Sequence, residues 1–210
     1  MTKSVLIESM RLPPLSVVHT IVTHSGFILE ACENYQKRSY RNRLYLAGPN
    51  GPQMFSIPLA KGKNERQKIT DVVLSYDEPW HHNLVKLIKT CYGSAPFFEY
   101  LIDEITWILD KKHQYLFDLN VDFHVLIQKY IDSYNFLGVS ESYDSVIQDK
   151  ASCVDLRDHF KPNKADESIK VLPQYPQVFE EKNGFVSNMS ILDLMMCMGR
   201  EATIYLDRIC

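Results

Sequence analysis

The chain has 210 residues, 45% of them hydrophobic and 23% charged, which is typical of a globular protein and not of a disordered or fibrous one. Its 26 acidic and 23 basic side chains give a formal net charge of -3, which argues against a broad basic face for nucleic acid. The 5 cysteines include no C-x-x-C pair, so neither a zinc knuckle nor a disulfide framework is predicted, and a reducing cytoplasmic compartment is expected.

The N-terminal region shows no targeting signal. Its first apolar segment, residues 5–7, ends at Glu8, which interrupts any apolar centre of a signal peptide. Nowhere does the sequence reach the roughly 18 apolar residues that a membrane-spanning helix requires. We therefore expect a soluble protein without a transmembrane segment.

The first segments have the pattern of a βαβ unit. Residues 5–7 predict a strand, Pro13 and Pro14 suit the first turn of a helix, and residues 27–31 predict a second strand. Two strands and a helix within about thirty residues have the size of such a unit.

The α/β pattern continues as far as residue 76. The Asn50-Gly51 pair favours a tight turn between two strands of a hairpin. Residues 69–76 are apolar enough to predict one more strand.

Residues 77–138 have a helical period instead. Apolar side chains recur every three or four residues in three segments, and Asp77, Ser94 and Asn120 stand where they can cap the three helices.

Residues 139–210 predict a loop-rich extension with one or two short strands, because Ser, Asp, Lys and Pro are frequent there. Ser190 and Asp193 have the spacing of a capping box, which predicts a helix that continues to Gly199. The sequence thus predicts one α/β domain over residues 1–210, with an N-terminal βαβ-type sheet region, several helices and a loop-rich C-terminal part closed by a capped helix.

Four segments together carry a family resemblance. They are LPPLS at 12–16, ENYQKRSYRNR at 33–43, YGSAPFFEY at 92–100 and GFVSNMSILDL at 184–194. In this order and spacing they resemble the WbqC-like family over nearly the whole chain. The resemblance implies a protein of O-antigen or other surface-polysaccharide biosynthesis, for which a glycine-transferase role has been proposed.

The expected activity follows from that resemblance. It is that of a cytoplasmic transferase, which moves an aminoacyl (glycyl) or acyl group onto a sugar linked to a nucleotide or lipid phosphate. The expected partners are a small-molecule donor and this sugar acceptor, with no cofactor and no nucleic acid. The family usually has aromatic residues in place of Val17 and Val18, and a His-Trp pair in place of Leu84 and Val85. These departures favour, as the alternative, a non-catalytic ligand-binding or scaffold protein of the same pathway.

The segment at 33–43 is the first candidate for a binding site. Its basic residues are Lys37, Arg38, Arg41 and Arg43. Guanidinium groups bind phosphate or carboxylate through two parallel hydrogen bonds, so these residues predict an anion site. Interspersed with them are three candidate ligand-lining residues, Tyr35, Tyr40 and Asn42. Composition alone favours a solvated charged loop as the alternative, whereas the resemblance favours binding.

The N-terminus of the first helix is a second candidate, because free N–H groups and the helix dipole attract phosphate there. Ser16, with Arg11 and Pro13 before it, would lie at this place. The segment has no glycine-rich fingerprint, so an ordinary structural turn is the alternative.

Glu33 is the candidate catalytic base, and Glu30 is the other carboxylate at the end of the second strand. Along a strand the two would point to opposite faces, so only one is expected to face a pocket. The alternative for either is an ion pair with the neighbouring arginines.

His82 is a further catalytic candidate. His81 and His82 stand about one helical turn before the position of the family histidine, and they could substitute for it only if the backbone is shifted. His81 and His82 are adjacent, so on a helix they diverge by about 100° and predict no metal site. Tyr100 is a candidate for lining a sugar site, because its hydroxyl wants a partner, and Asn188 belongs to the fourth family segment. Capping explains Asp193.

Overall fold

A four-stranded parallel sheet lies at the centre of the fold. The computed structural model describes residues 3–60, 66–143, 153–162 and 172–208. In chain order the elements are β1 (Ser4–Glu8), α1 (Leu15–Val22), β2 (Phe27–Glu30), β3 (Arg43–Gly48), β4 (Gly51–Ser56), a 3-10 turn (Ile69–Asp71), α2 (Trp80–Tyr92), α3 (Phe98–Asp110), α4 (Leu116–Tyr130), β5 (Phe136–Val139), β6 (Cys153–Asp155), α5 (Glu180–Asn183), α6 (Ile191–Met198) and α7 (Glu201–Arg208).

Strand β1 is a central strand of this sheet. Val5, Leu6 and Ile7 are fully buried, which fits a parallel strand that is covered on both faces. The strand pairs in parallel with β2, with Val5 opposite Phe27, and on its other side with β6. The predicted βαβ unit is therefore confirmed as β1, α1 and β2.

The strand order, β5-β2-β1-β6, creates a switch point in the sheet. From β1 the chain proceeds outward to β2 and then β5, whereas β6 pairs on the opposite side of β1. In open parallel sheets the crevice for ligands lies at such a reversal, outside the carboxyl ends of the strands. The carboxyl ends of β1 and β6 are therefore the place to look for a site.

The predicted hairpin is confirmed by β3 and β4, whose register runs from Arg43 opposite Ser56 to Gly48 opposite Gly51. The strand predicted at 69–76 is wrong. Residues Ile69–Asp71 form a 3-10 turn, and the next residues bond to the segment before α4, with Leu74 N–H donating to Gln114 O at 2.9 Å. These partners, which are distant in sequence, take the place of the neighbouring strand that a ladder requires.

Three helices, α2 to α4, bury their predicted apolar faces against the core, with Leu84, Ile105 and Phe123 all fully buried. The caps predicted at Asp77, Ser94 and Asn120 are all wrong, because the three helices begin at Trp80, Phe98 and Leu116 and none has a side-chain cap bond. Asn120 lies inside the helix, buried, with its side chain bonded elsewhere. No helix in the described part of the chain is long and apolar enough to cross a bilayer.

The C-terminal helix α6 begins at the predicted cap. Ser190 Oγ accepts from Leu192 N–H at 3.3 Å and donates to Leu12 O at 2.9 Å. The capping role predicted for Asp193 is wrong: the N–H of Ser190 donates to Tyr45 O at 2.9 Å, and the Asp193 carboxylate accepts from Tyr175 and Gln177.

The loop-rich C-terminal part also fits the prediction, with short strand β6 and an irregular segment at 172–177. Predictions at 144–152 and 163–171 lie outside the described residues.

Candidate functional site

A polar cluster, buried except for Asp158, occupies the switch point. Its members come from β1 and the residue after it, from the loop before β3, from α4 and from the loop after β6. They are Glu8, Ser9, Glu33, Arg41, Asn120 and Asp158. Long-range folding assembles this cluster, because its members are spread over 150 positions of sequence.

Arg41 is the centre of the cluster and is only 1% exposed. Its Nε donates to Oε1 of Glu33 at 3.0 Å, and its Nη2 donates to the other oxygen of Glu33. The same Nη2 donates to Oδ1 of Asp158 at 2.9 Å. This two-pronged contact fixes the plane of the guanidinium group.

Main-chain and amide groups hold the pair in place. The N–H of Ser9 donates to Oε1 of Glu33 at 3.0 Å. Nδ2 of Asn120 donates to Ser9 Oγ at 3.0 Å and to the carbonyl oxygen of Arg41 at 3.1 Å. Helix α4 thus connects the end of β1 to the basic segment, which explains why an amide is buried inside a helix.

Glu8 is the least satisfied member of the cluster. One of its oxygens accepts from the N–H of Asp158 at 3.2 Å, and the other has no partner among the residues described. Burial raises the pKa of Glu8 to about 7, although the nearby Arg41 opposes the shift. Burial also raises the pKa of Glu33, against the effect of Arg41. A carboxyl with a pKa close to neutrality is suited to take and release a proton.

A pocket of about 290 Å³ opens over the cluster, and Arg41 and Asp158 belong to both. Its remaining lining residues are Gln36, Lys37, Arg38, Ser39, Phe160 and Lys161. Three exposed basic side chains, Lys37, Arg38 and Lys161, give the mouth of the pocket a positive character. The pocket fits the phosphate- or carboxylate-bearing part of a small ligand.

The other candidates of the basic segment have structural positions. Arg43 begins β3 and is not among the residues that line the pocket. Tyr35 is buried, and Tyr40 packs edge-on against Tyr45 at 6.1 Å between ring centroids. The Asn42 amide donates to Ser56 Oγ and to Ile57 O, so it connects two chain segments.

Ser16 and Asn188 lie together, but away from the pocket lining. The N–H of Ser16 donates to Oδ1 of Asn188 at 2.9 Å, and that of Leu15 donates to Met189 O at 3.0 Å. The first amides of α1 are thus occupied by the chain itself. The phosphate site predicted at this helix end has no free amide there to support it, and Asn188 acts as the cap.

Two further candidates lie on α2 and α3 and do not line the pocket. His82 is exposed near the beginning of α2, with its ring 4.1 Å from that of His81. Tyr100 is 71% exposed on α3. Neither geometry brings these side chains to the switch point.

Glu30 belongs to a second buried ion pair. Oε2 of Glu30 lies 2.7 Å from Nη1 of Arg157, and Oε1 accepts from Ser140 Oγ at 2.5 Å and from the N–H of Cys32 at 2.8 Å. Arg157 also grips Asp155 through two nitrogens. The partner of Glu30 is therefore a distant arginine, whereas Glu33, the other carboxylate predicted at this place, pairs with Arg41 of the basic segment.

Sequence reasoning missed several members of the site, namely Glu8, Ser9, Asn120, Asp158 and Lys161. Glu8 carried a signal, because a charged residue directly after a buried parallel strand marks the carboxyl edge of the sheet. Asp158 and Lys161 carried none, because their segment lacks periodicity.

Comparison with known proteins places this architecture in a family. Residues 9–161 and 157–205 match the WbqC-like protein family. The chain belongs to this family. The first matched range includes every member of the polar cluster of this WbqC-like chain except Glu8, which directly precedes it. Membership suggests a role in polysaccharide biosynthesis of the O-antigen kind. Neither the search of curated proteins nor that of solved structures found a match.

Proposed function

We propose that the protein is a transferase of surface-polysaccharide biosynthesis that works at the switch-point pocket. It moves an aminoacyl, such as glycyl, or another acyl group onto an amino sugar carried on a nucleotide or lipid phosphate. The observation that carries this proposal is that a pocket with basic side chains at its mouth lies directly above a cluster of carboxylates. A transferase of this kind has to hold an anion and remove a proton in one place.

The pocket mouth is the proposed anion site. Arg38 and Lys161 approach it from different segments and are both exposed, so their charges remain available to a ligand phosphate or carboxylate. Arg41, by contrast, already makes two ion pairs. Its proposed role is to position the cluster and to keep the floor of the pocket from becoming too acidic.

Glu8 is the proposed base. Both oxygens of Glu33 are engaged by Arg41 and Ser9, whereas Glu8 keeps one oxygen unpartnered in the described structure. Glu8 lies behind Asp158 and outside the pocket lining, so ionised Glu8 would accept by way of Asp158 or water the proton that the acceptor amine loses as its nitrogen bonds to the acyl carbon. The donor's leaving group departs with the electron pair of the broken bond. Glu33 would hold Arg41 in place during this step.

Ligand binding tests the anion site. Calorimetry with a nucleotide-linked amino sugar compares the full chain with Arg38→Gln and Lys161→Gln, which change exposed side chains and leave the buried cluster intact. We expect each to weaken binding by roughly tenfold, the effect of losing about 1.4 kcal/mol from a charged contact. Lys86→Gln, an exposed lysine of α2 outside the pocket lining, is the matched control. Equal affinities in all four proteins would contradict the proposal.

A non-catalytic binding module is the second candidate. Leu84, at the position of the family histidine, is a fully buried core residue and supplies no acid or base. A turnover screen with acyl and aminoacyl donors, read by mass spectrometry, separates the two functions. Product that disappears in Glu8→Gln supports the transferase, and binding without product supports the module.

A further inference from the structure

The beginning of α2 and the end of α3 bring three metal-ligating side chains together. The turn at 93–97 reverses the chain between the two helices, so Asp110, the last residue of α3, returns to the level of His81 and His82. One ligand atom from each of the three side chains lies within 4.8 Å of the other two.

His81 is the unusual member of this group. His81 is only 5% exposed, yet neither of its ring nitrogens has a hydrogen-bond partner among the described residues. The buried His124 shows the contrast, because both of its nitrogens are engaged, with Met10 O and the Tyr134 hydroxyl at 2.7 Å each. Buried polar groups are normally satisfied, so the bare imidazole of His81 points to a ligand.

The sequence argument against a metal site does not hold in the folded chain. Adjacent histidines within a helix diverge, but the rings of His81 and His82 lie 4.1 Å apart and are tilted by only 37°. Asp110, which the sequence did not connect with them, completes the set from the neighbouring helix.

We propose that His81, His82 and Asp110 form a binding site for a divalent transition metal of the zinc type. Two imidazole nitrogens and a carboxylate oxygen suit Zn²⁺, and three protein ligands leave a fourth position to water or a ligand. A tetrahedral centre with bonds of about 2.1 Å needs donor atoms about 3.4 Å apart. The ligand atoms lie within 4.8 Å of one another, and the exposed side chains of His82 and Asp110 can rotate toward the buried His81 ring to reach the shorter distance.

One neighbouring charge opposes the metal. The positive charge of Lys112, exposed two residues after Asp110, disfavours a second positive charge at His81. We therefore expect a moderate affinity, with a Kd on the order of micromolar. Replacing Lys112 by a neutral residue should therefore strengthen metal binding, a result that a nonspecific loss of structure cannot produce.

Zinc titration of the full chain, freed of metal with a chelator, tests the site by calorimetry. We expect one Zn²⁺ per chain at this site. His82→Gln and Asp110→Asn, both exposed, should each weaken binding by roughly tenfold or more, because each removes one of three ligands. Lys112→Gln should tighten it, and His24→Gln, a histidine half-buried after α1, should leave it unchanged.

Cobalt substitution identifies the ligands independently of affinity. The Co²⁺ spectrum of the full chain should show nitrogen and oxygen ligation without a thiolate charge-transfer band, and it should change in His82→Gln. No binding of Zn²⁺ at millimolar concentration would overturn the proposal. Binding that is indifferent to His82→Gln and Asp110→Asn, or a thiolate band, would assign the metal to other residues and overturn it equally.

Discussion

The main-chain N–H of Asp158 donates to Oε2 of Glu8 at 3.2 Å, across 150 positions of sequence. The bond joins the end of β1 to the loop after β6, the two sides of the switch point. It holds the Glu8 carboxyl with one oxygen satisfied and the other unpartnered within the described structure. The site is therefore assembled when β6 pairs with β1 in the sheet.

Glu8→Gln should stabilise the protein at alkaline pH. The folded-state pKa of about 7 lies above the ordinary value of 4.5, so the stability from protonated Glu8 is fully present below pH 4.5 and is lost as the pH rises through 7. At pH 8 this loss amounts to about 3 kcal/mol, which the neutral amide avoids. Urea denaturation at pH 8 and pH 4.5 measures it. A Glu8→Gln advantage that is equal at both pH values would contradict the shifted pKa.

His124 should remain neutral in the folded protein at mildly acidic pH. Its Nε2–H donates to Met10 O and its Nδ1 accepts from the Tyr134 hydroxyl, so a second proton on Nδ1 would require the hydroxyl to turn from donor to acceptor. Burial lowers the pKa of His124 to about 4, so stability is lost as the pH falls from 6.5 toward 4.

In the wild type this His124 effect and that of Glu8 have opposite signs between pH 4.5 and 6.5. The His124 contribution alone is a loss of about 2 kcal/mol from pH 6.5 to 5. Glu8→Gln removes one opposing contribution, while Glu33 and Asp193, whose pKa values burial also raises, still oppose it. Urea denaturation should therefore show a larger loss of stability over this range in Glu8→Gln than in the wild type, and NMR titration of the imidazole is the direct check. Protonation of His124 near pH 6.5 in the folded state would refute the prediction.

Local patterns in the sequence predicted the local structure. The Asn50-Gly51 hairpin and the Ser190 cap each act within a few residues, and the structure confirms them, whereas Pro13 and Pro14 lie just before α1 and not in its first turn. The strand predicted at 69–76 failed because its apolar residues pair with a loop, a choice that only tertiary structure decides.

The candidate site was predictable only in part. Lys37, Arg38 and Arg41 do meet in one pocket, because they are neighbours in sequence. Their partners Asp158 and Lys161 come from the other side of the switch point, and no spacing rule connects segments that far apart. The strand order determines these contacts, and a single sequence does not reveal it.

Arg157→Gln should destabilise the fold strongly, because it leaves the fully buried Glu30 without its counter-ion. Removing one partner of a buried ion pair lowers the free energy of unfolding by about 3–5 kcal/mol. Glu30→Gln combined with Arg157→Gln should recover part of that loss, since the only carboxylate then left without Arg157 is Asp155, whose side chain is 42% exposed. Chemical denaturation measures all three proteins. Lys111→Gln, which breaks the more exposed pair with Asp122, is the matched control and should cost no more than about 1 kcal/mol. A single Arg157→Gln change as mild as the control would show that Glu30 does not depend on this arginine.

Arg11→Met should make the protein more stable. Arg11 is 1% exposed in the loop between β1 and α1, its three guanidinium nitrogens have no hydrogen-bond partner in the described structure, and its Cζ lies 6.0 Å from the centroid of the Phe123 ring. Burial lowers its pKa to about 9, still high enough for a charge at neutral pH. Methionine keeps an unbranched chain in that space without the buried charge, so we expect the free energy of unfolding to rise by about 1–4 kcal/mol. Urea denaturation at pH 7.5 measures the change, and Arg200→Met, an exposed arginine, should stay within about 0.5 kcal/mol of the wild type. If Arg11→Met unfolds more easily than the wild type, the buried guanidinium stabilises the fold and the prediction is wrong.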